Sequence, residues 1–191
     1  TNAKACVSPP GGTKAVLGTN PIAMSVPDGK GGLAMQFDQS TSAIAIGKIN
    51  MAATAGEQIP LGWGVDSEGQ ATQDPNAVLQ GGSLVSSGGY KGYGFGLMAE
   101  ILAAAFTGGS TSTQLEPLKA TAGQPHDLGQ CYIIIDPTNV SGDLFWDKLS
   151  AISGAVTSQP GARLPGSQKV LPETVELDAD VWQSVLKLAN H

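Results

Sequence analysis

The sequence predicts a layered α/β protein, because strand-like runs and helix-periodic segments are mixed along its 191 residues. Two further observations point the same way. Residues 130–136 form a short, continuously apolar run of the kind found in strands covered on both faces. Residues 97–107 are apolar on nearly every side, as expected of a central helix buried by several neighbours.

Taken in order, residues 22–26 follow a GTNP turn and read as an extended segment, and residues 33–37 read as a second one. The loop DGKGG at 28–32 joins them in a hairpin-like arrangement. The period then changes. Asp38, Ser40 and Thr41 offer capping side chains ahead of SAIAIGKINMAATAG, where Ala45, Ile49 and Ala52 mark a helical stripe and Gly56 a C-cap. Residues 57–84 carry turn signals at Ser67-Glu68-Gly69 and Asp74-Pro75 with no helical period, which predicts an irregular crossing loop.

Residues 88–109 read GGYKGYGFGLMAEILAAAFTGG. This predicts a glycine-rich turn that runs into the apolar helix and is stopped by Gly108 and Gly109. Beyond the 130–136 run, closed by Asp136-Pro137, Phe145, Leu149, Ile152 and Val156 give an amphipathic helix. Val181, Val185 and Leu188 give another, with Asp178 or Asp180 as its cap.

The glycine-rich turn is the strongest local pointer to a ligand. Its glycines remove side chains where a ligand could approach backbone N–H groups, the helix N-terminus favours negative charge, and Lys91 adds a cation. It is not a P-loop, since Gly92 and Tyr93 follow Lys91 where a Ser or Thr is needed to hold magnesium. It is not a Rossmann turn either, since Leu97 stands where the last glycine of G-x-G-x-x-G should fall. A glycine-rich bend against a core helix is the competing explanation.

Composition narrows the function. The chain is 41% hydrophobic with 26 glycines, which describes a globular, loop-rich protein with one good core or a core and a smaller lobe. Sixteen acidic against ten basic residues give a net charge of −6, and the basic residues are scattered. That argues against nucleic acid or an anionic membrane as partner. Cys6 and Cys131 share no C-x-x-C spacing, and Cys131 opens the apolar run CYIII, so a buried thiol in a reducing compartment is expected over a disulfide. No stretch approaches eighteen consecutive apolar residues and no signal peptide is visible, so a soluble, cytoplasmic protein is expected. Thr1 in place of methionine suggests that something upstream has been lost.

Five motifs then occur in order: GTNPIA at 18–23, FDQSTSAIAIGKI at 37–49, IPLGWGVDSEGQATQDP at 59–75, GGYKGYGFGLM at 88–98 and RLPG at 163–166. Together they closely resemble the malate/L-lactate dehydrogenase family of non-Rossmann oxidoreductases, and the match covers essentially the whole chain. The family includes sulfolactate, ureidoglycolate and malate dehydrogenases, diketogulonate reductase and Δ1-piperideine-2-carboxylate reductase. The resemblance implies a three-layer α/β architecture with a mixed β-sheet, a homodimer, and NADH or NADPH bound by a non-Rossmann dinucleotide-binding fold. It implies hydride transfer between the nicotinamide and the hydroxyl-, carbonyl- or imine-bearing carbon of a small 2-substituted carboxylate, with no metal.

Family members also carry an N-terminal region with a Ser-His pair and an arginine, which nothing here matches. His126 and His191 lie outside any matching motif. The resemblance therefore makes residues 1–191 the cofactor-binding and dimerisation portion of a larger enzyme. A catalytically silent dinucleotide-binding module is the alternative, as is a cyclic imine reductase acting on Δ1-piperideine-2-carboxylate.

Residue by residue, the resemblance makes Asp38 the catalytic carboxylate that pairs with the upstream histidine. A carboxylate on an imidazole fixes its tautomer and stabilises its protonated form. A plain helix N-cap, worth about 1 kcal/mol, is the structural alternative. Met35, Gln36, Phe37, Gln39 and Ser40 resemble the family segment that touches the cofactor, Leu79 and Gln80 a second contact pair, and Gly166, Ser167 and Gln168 a third. Arg163 stands beside the Pro165-Gly166 turn, whose N–H groups could face a phosphate. Lys91 is expected to line the cofactor pocket, and Tyr90 and Tyr93 either line it too or belong to the core. Asp28, Lys30 and Lys169 offer both signs near the expected ribose, so NADH and NADPH both stay open.

Overall fold

The computed structural model describes residues 1–117, 125–167 and 172–189. Its first unit is the expected hairpin. Strands β1 (Ile22–Pro27) and β2 (Leu33–Gln39) pair antiparallel with Ala23 opposite Asp38 and Ser25 opposite Gln36. The Asp28 side chain closes the loop by accepting the Lys30 and Gly32 N–H groups at 2.7 and 2.8 Å. Those two bonds hold its carboxyl below the usual range.

Helix α1 (Ile46–Ala55) ends as expected in Gly56, whose φ of 69° is left-handed and whose N–H reaches the Ala52 and Ala53 carbonyls. Its start differs. The N-cap is Ala45 with no side-chain bond, and Asp38 lies inside β2, so the capping alternative for Asp38 is excluded.

The expected crossing loop at 57–84 contains three short elements: β3 (Gly64–Val65), α2 (Pro75–Leu79) and β4 (Ser83–Leu84). The Asp-Pro signal opens a helix here, because the Asp74 carboxylate caps the Asn76 N–H at 2.8 Å and Pro75 sits where no N–H donor is needed. Strands β3 and β4 pair antiparallel, and Val7 bridges both Leu17 and Leu84. Around this small sheet Val7, Leu17, Ile49, Ile59, Val78 and Leu84 form the core.

Helix α3 (Tyr90–Glu100) begins earlier than the sequence suggested. Gly92, Gly94 and Gly96 are helical, at a cost near 1 kcal/mol each relative to alanine. Close approach explains two of them. A Cβ on Gly92 would lie 1.8 Å from the Ser87 carbonyl oxygen, and one on Gly96 would lie 2.9 Å from the Thr41 hydroxyl. The helix continues into a π-helical turn, Ile101–Ala105, and stops before Gly108, whose φ is 74°.

The expected burial of 97–107 on several sides is not observed. Ala99, Glu100, Ala103 and Ala104 are buried, whereas Leu97, Met98, Ile101 and Phe106 are exposed. Nor do residues 130–136 form a covered strand. Among the described residues no strand pairs with them, and Ile134 is 95% exposed. An apolar run specifies a strand only where a partner edge supplies its hydrogen bonds.

Beyond a 3-10 turn at Pro137–Asn139, helices α4 (Leu144–Thr157) and α5 (Ala179–Ala189) form where periodicity placed them. Neither contains a buried residue. Helix α4 touches the hairpin through Trp146, whose ring lies against Gly29. Among the described residues, helices are combined with two two-stranded antiparallel sheets, a mixed content of helix and strand in which the strands form small separate hairpins.

Candidate functional site

Beside the hairpin lies a cavity of about 460 Å³, within the range of small-molecule sites. Phe37 and Asp38 come from β2, Ile22 and Ala23 from β1, and Met98, Ala99, Leu102 and Ala103 from α3 and its π-turn. Thr1, Gln130, Cys131 and Tyr132 close the remaining side. The lining is mostly apolar, and among the described residues Asp38 is the sole acidic one that lines it. A flat aromatic ligand could lie on such walls, with one carboxylate at hand to orient a cation or accept a proton.

Several expected site residues gather on this hairpin. Met35, Gln36 and Phe37 are half-buried along β2, with Gln39 exposed at its end. Ser40 follows, its hydroxyl donating to the Ser42 carbonyl at 3.3 Å. The RLPG turn docks here too. The Gln36 N–H donates to the Pro165 carbonyl at 3.0 Å, and Gly166, at φ 82°, approaches so closely that a Cβ would lie 2.7 Å from the Gln36 oxygen. Arg163 is exposed beside it, and the Ser167 hydroxyl is used within the turn, donating to the Leu164 carbonyl at 2.8 Å. Gln168, Lys169 and His191 lie outside the described residues.

Other candidates fall elsewhere. Leu79 and Gln80 end α2, which packs on α1, β3 and β4, and neither lines the Asp38 cavity. Lys91 is exposed in the first turn of α3. The start of that helix faces a different cleft of about 390 Å³, lined by Ser86, Gly89, Thr13 and Glu68 among others. The Glu68 carboxylate opposes the attraction that the helix N-terminus would exert on an anion. The N-terminal end of α3 at Gly89 and Asp38 therefore line separate cavities, while the later turns of that helix supply Met98 and Ala99 to the Asp38 cavity.

The tyrosines divide: Tyr90 is exposed, whereas Tyr93 packs against the core. Burial, and then the charge of Glu100, raise the Tyr93 hydroxyl above its ordinary value. His126 is exposed.

Both cysteines are free thiols. Burial pushes Cys6 up to about 11, against a smaller opposing pull from the Thr19 backbone. Cys131 is half-buried on the cavity wall, which corrects the expectation of a buried core thiol. Its place at the cavity, like those of Thr1 and Tyr132, was missed because no motif marks it.

Residues 1–184 match the malate/L-lactate dehydrogenase family profile. Over 170 residues the chain is 39% identical to a Δ1-pyrroline-2-carboxylate/Δ1-piperideine-2-carboxylate reductase of Pseudomonas syringae pv. tomato, a match covering 89% of this chain and 49% of that protein. It is 37% identical to a (2R)-3-sulfolactate dehydrogenase (NADP(+)) of Chromohalobacter salexigens, covering 88% of this chain and 50% of that one.

The crystal structure of Δ1-piperideine-2-carboxylate reductase from Pseudomonas syringae superimposes with a TM-score of 0.84 at 34% identity, over 98% of this chain and 58% of that one. A sulfolactate dehydrogenase of Methanocaldococcus jannaschii gives 0.81 at 30% identity, over 99% and 57%. The chain spans about half the length of the curated relatives it matches.

Proposed function

The chain belongs to the malate/L-lactate dehydrogenase family, and from that premise we propose that it is the coenzyme-binding portion of an NAD(P)H-dependent oxidoreductase acting on a small 2-oxo or 2-hydroxy acid. The observation that carries this reading is the hairpin. It presents Asp38 to an apolar-walled cavity and holds the RLPG turn on Gln36, so β2 joins two segments whose bonded residues, Gln36 and Pro165, are 129 positions apart in the chain.

The cavity fits the coenzyme's reactive end. Its volume and the Phe37, Met98 and Leu102 walls suit a nicotinamide ring, and NADH or NADPH would supply the hydride there. Met35, Gln36, Gln39 and Ser40 would hold it from the strand, with Arg163, Gly166, Ser167 and Gln168 at its phosphates or ribose. Leu79, Gln80 and Lys91 stand apart from the cavity and would meet only more distant parts of the coenzyme.

In this reading Asp38 accepts a hydrogen bond from an imidazole outside this chain and stabilises its protonated form, so that a proton can move to or from the substrate oxygen or nitrogen. Asp38 is exposed in this chain, so the segment that brings the imidazole would also have to cover it before the apolar walls could strengthen that interaction. The proposal extends to a three-layer arrangement around a mixed sheet, a homodimer and a cytoplasmic location. The exposed apolar residues of 132–135 and of the α3 face support the first two, since such surface asks for a cover.

A second reading, reduction of a cyclic imine carboxylate, is favoured by the names of the relatives at 39% and 38% identity. One experiment addresses both. The complete protein is mixed with NADPH or NADH and a panel of 2-oxo acids and Δ1-piperideine-2-carboxylate, and absorbance at the nicotinamide band is followed. Consumption with at least one substrate is expected; none with any would overturn the proposal.

A further inference from the structure

Glu100 is 8% exposed in an otherwise apolar stretch, and its partners are all neutral donors. One carboxylate oxygen accepts the Ser112 N–H at 2.6 Å. The other accepts the Ser112 hydroxyl at 2.5 Å and the Asn20 side-chain amide at 2.7 Å. Asn20 is fully buried with a φ of 33°; it also donates to the Gly96 carbonyl at 3.1 Å and accepts the Ala3 N–H at 3.2 Å. The Ser112 hydroxyl in turn accepts the Gly18 N–H at 3.0 Å.

We propose that the Asn20–Glu100–Ser112 cluster is a positioning device for the Asp38 cavity. Each segment that it ties continues directly into, or is bonded to, a cavity wall. Pro21, Ile22 and Ala23 follow Asn20, while Met98 and Ala99 precede Glu100 and Leu102 and Ala103 follow it. The π-turn begins one residue after Glu100, and such turns recur at functional sites.

The far wall is tied to the same loop. The Asn2 amide donates to the Ser110 carbonyl at 2.8 Å and its oxygen accepts the Gly129 N–H at 3.2 Å, just ahead of Gln130 and Cys131. A buried carboxylate is costly unless donors satisfy it, and apolar packing would hold these segments with less exact placement. An amide in its place must set a donor against a donor. If its nitrogen faces Asn20 the clash is with that amide, and if it faces the other way the clash is with the Ser112 N–H.

That this cavity holds coenzyme and substrate rests on the function proposed above; the positioning of its walls does not. Glu100→Gln is therefore read in two ways in the whole chain, beside the core variant Ile59→Val as a stability control. The first readout is alkylation of Cys131 by iodoacetamide at pH 8, followed by peptide mass, with Cys6 as a slow internal reference because burial raises its thiol to about 11. The second is NADPH titration at a temperature where every variant is folded.

The expected result is a several-fold change in the Cys131 rate and about tenfold weaker NADPH binding, with Ile59→Val unchanged in both. Ser112→Ala is the milder variant if Glu100→Gln does not fold, with the same direction expected. A Cys131 rate in the cluster variants equal to that of the control would overturn the proposal. If the unmodified chain binds neither NADPH nor NADH, the functional reading fails, while the Cys131 rates still decide the positioning role.

Discussion

Leu84→Ala lowers the unfolding free energy by about 2–5 kcal/mol. Leu84 is fully buried at the centre of the core cluster. Its backbone joins three segments: it pairs with Gly64 in the small sheet, donates its N–H to the Cys6 carbonyl at 2.8 Å and accepts the Ser8 N–H at 3.3 Å. These bonds hold the backbone in place after truncation, so the site cannot collapse around the lost atoms and an apolar void remains. A domain is commonly stable by about 5–15 kcal/mol, so this one change removes a large share.

The melting temperature should fall by about 2–4 °C for each kcal/mol. Leu61→Ala is the comparison, since Leu61 is 63% exposed and should shift stability by less than about 0.5 kcal/mol. Equal melting shifts in the two variants would contradict the placement of the core.

With Asp38 in the proposed role, Asp38→Asn should lower kcat of the complete protein by about 10²- to 10⁴-fold while leaving the coenzyme dissociation constant unchanged. The amide preserves the size of the side chain, and the strand pairing of residue 38 with Ala23 involves only backbone, so the hairpin and its apolar cavity persist. In the proposed role, what is lost is the negative charge that would orient and stabilise an imidazolium. A drop in kcat with unchanged coenzyme binding separates this role from a simple wall of the pocket. Weaker binding at unchanged kcat would assign Asp38 to the coenzyme instead.

The hairpin was legible because alternating strand segments flank an Asp-Gly loop whose carboxylate bonds its own backbone, a device written within five residues. Helices α4 and α5 were legible for a similar reason, since each apolar stripe lies within one continuous segment. Helix α3 was misread at its start. Gly92 and Gly96 argue locally against a helix, and the reason they are tolerated is contact with Ser87 and Thr41, which no local pattern records.

The 130–136 run failed for the converse reason. Its composition states that apolar cover is preferred but not which strand supplies it. At the candidate site, Asp38 and the RLPG turn are marked by family motifs, whereas the docking of that turn on Gln36 of the same strand follows from tertiary structure alone. Glu100 carries one local sequence signal, a single carboxylate within LMAEILAAAF. Its partners Asn20 and Ser112 are 80 and 12 residues away, and no spacing rule links them.

The central claim is that the hairpin and the walls tied to Glu100 form the seat of a pyridine dinucleotide. A crystal structure of the protein grown with NADPH or NADH tests it most directly. The nicotinamide ring is expected in the cavity, with heavy atoms within about 4.5 Å of Phe37, and the remainder of the molecule running toward the Gly166 turn. A coenzyme seated in the cleft at Ser86 and Gly89, with the Asp38 cavity empty, would contradict it.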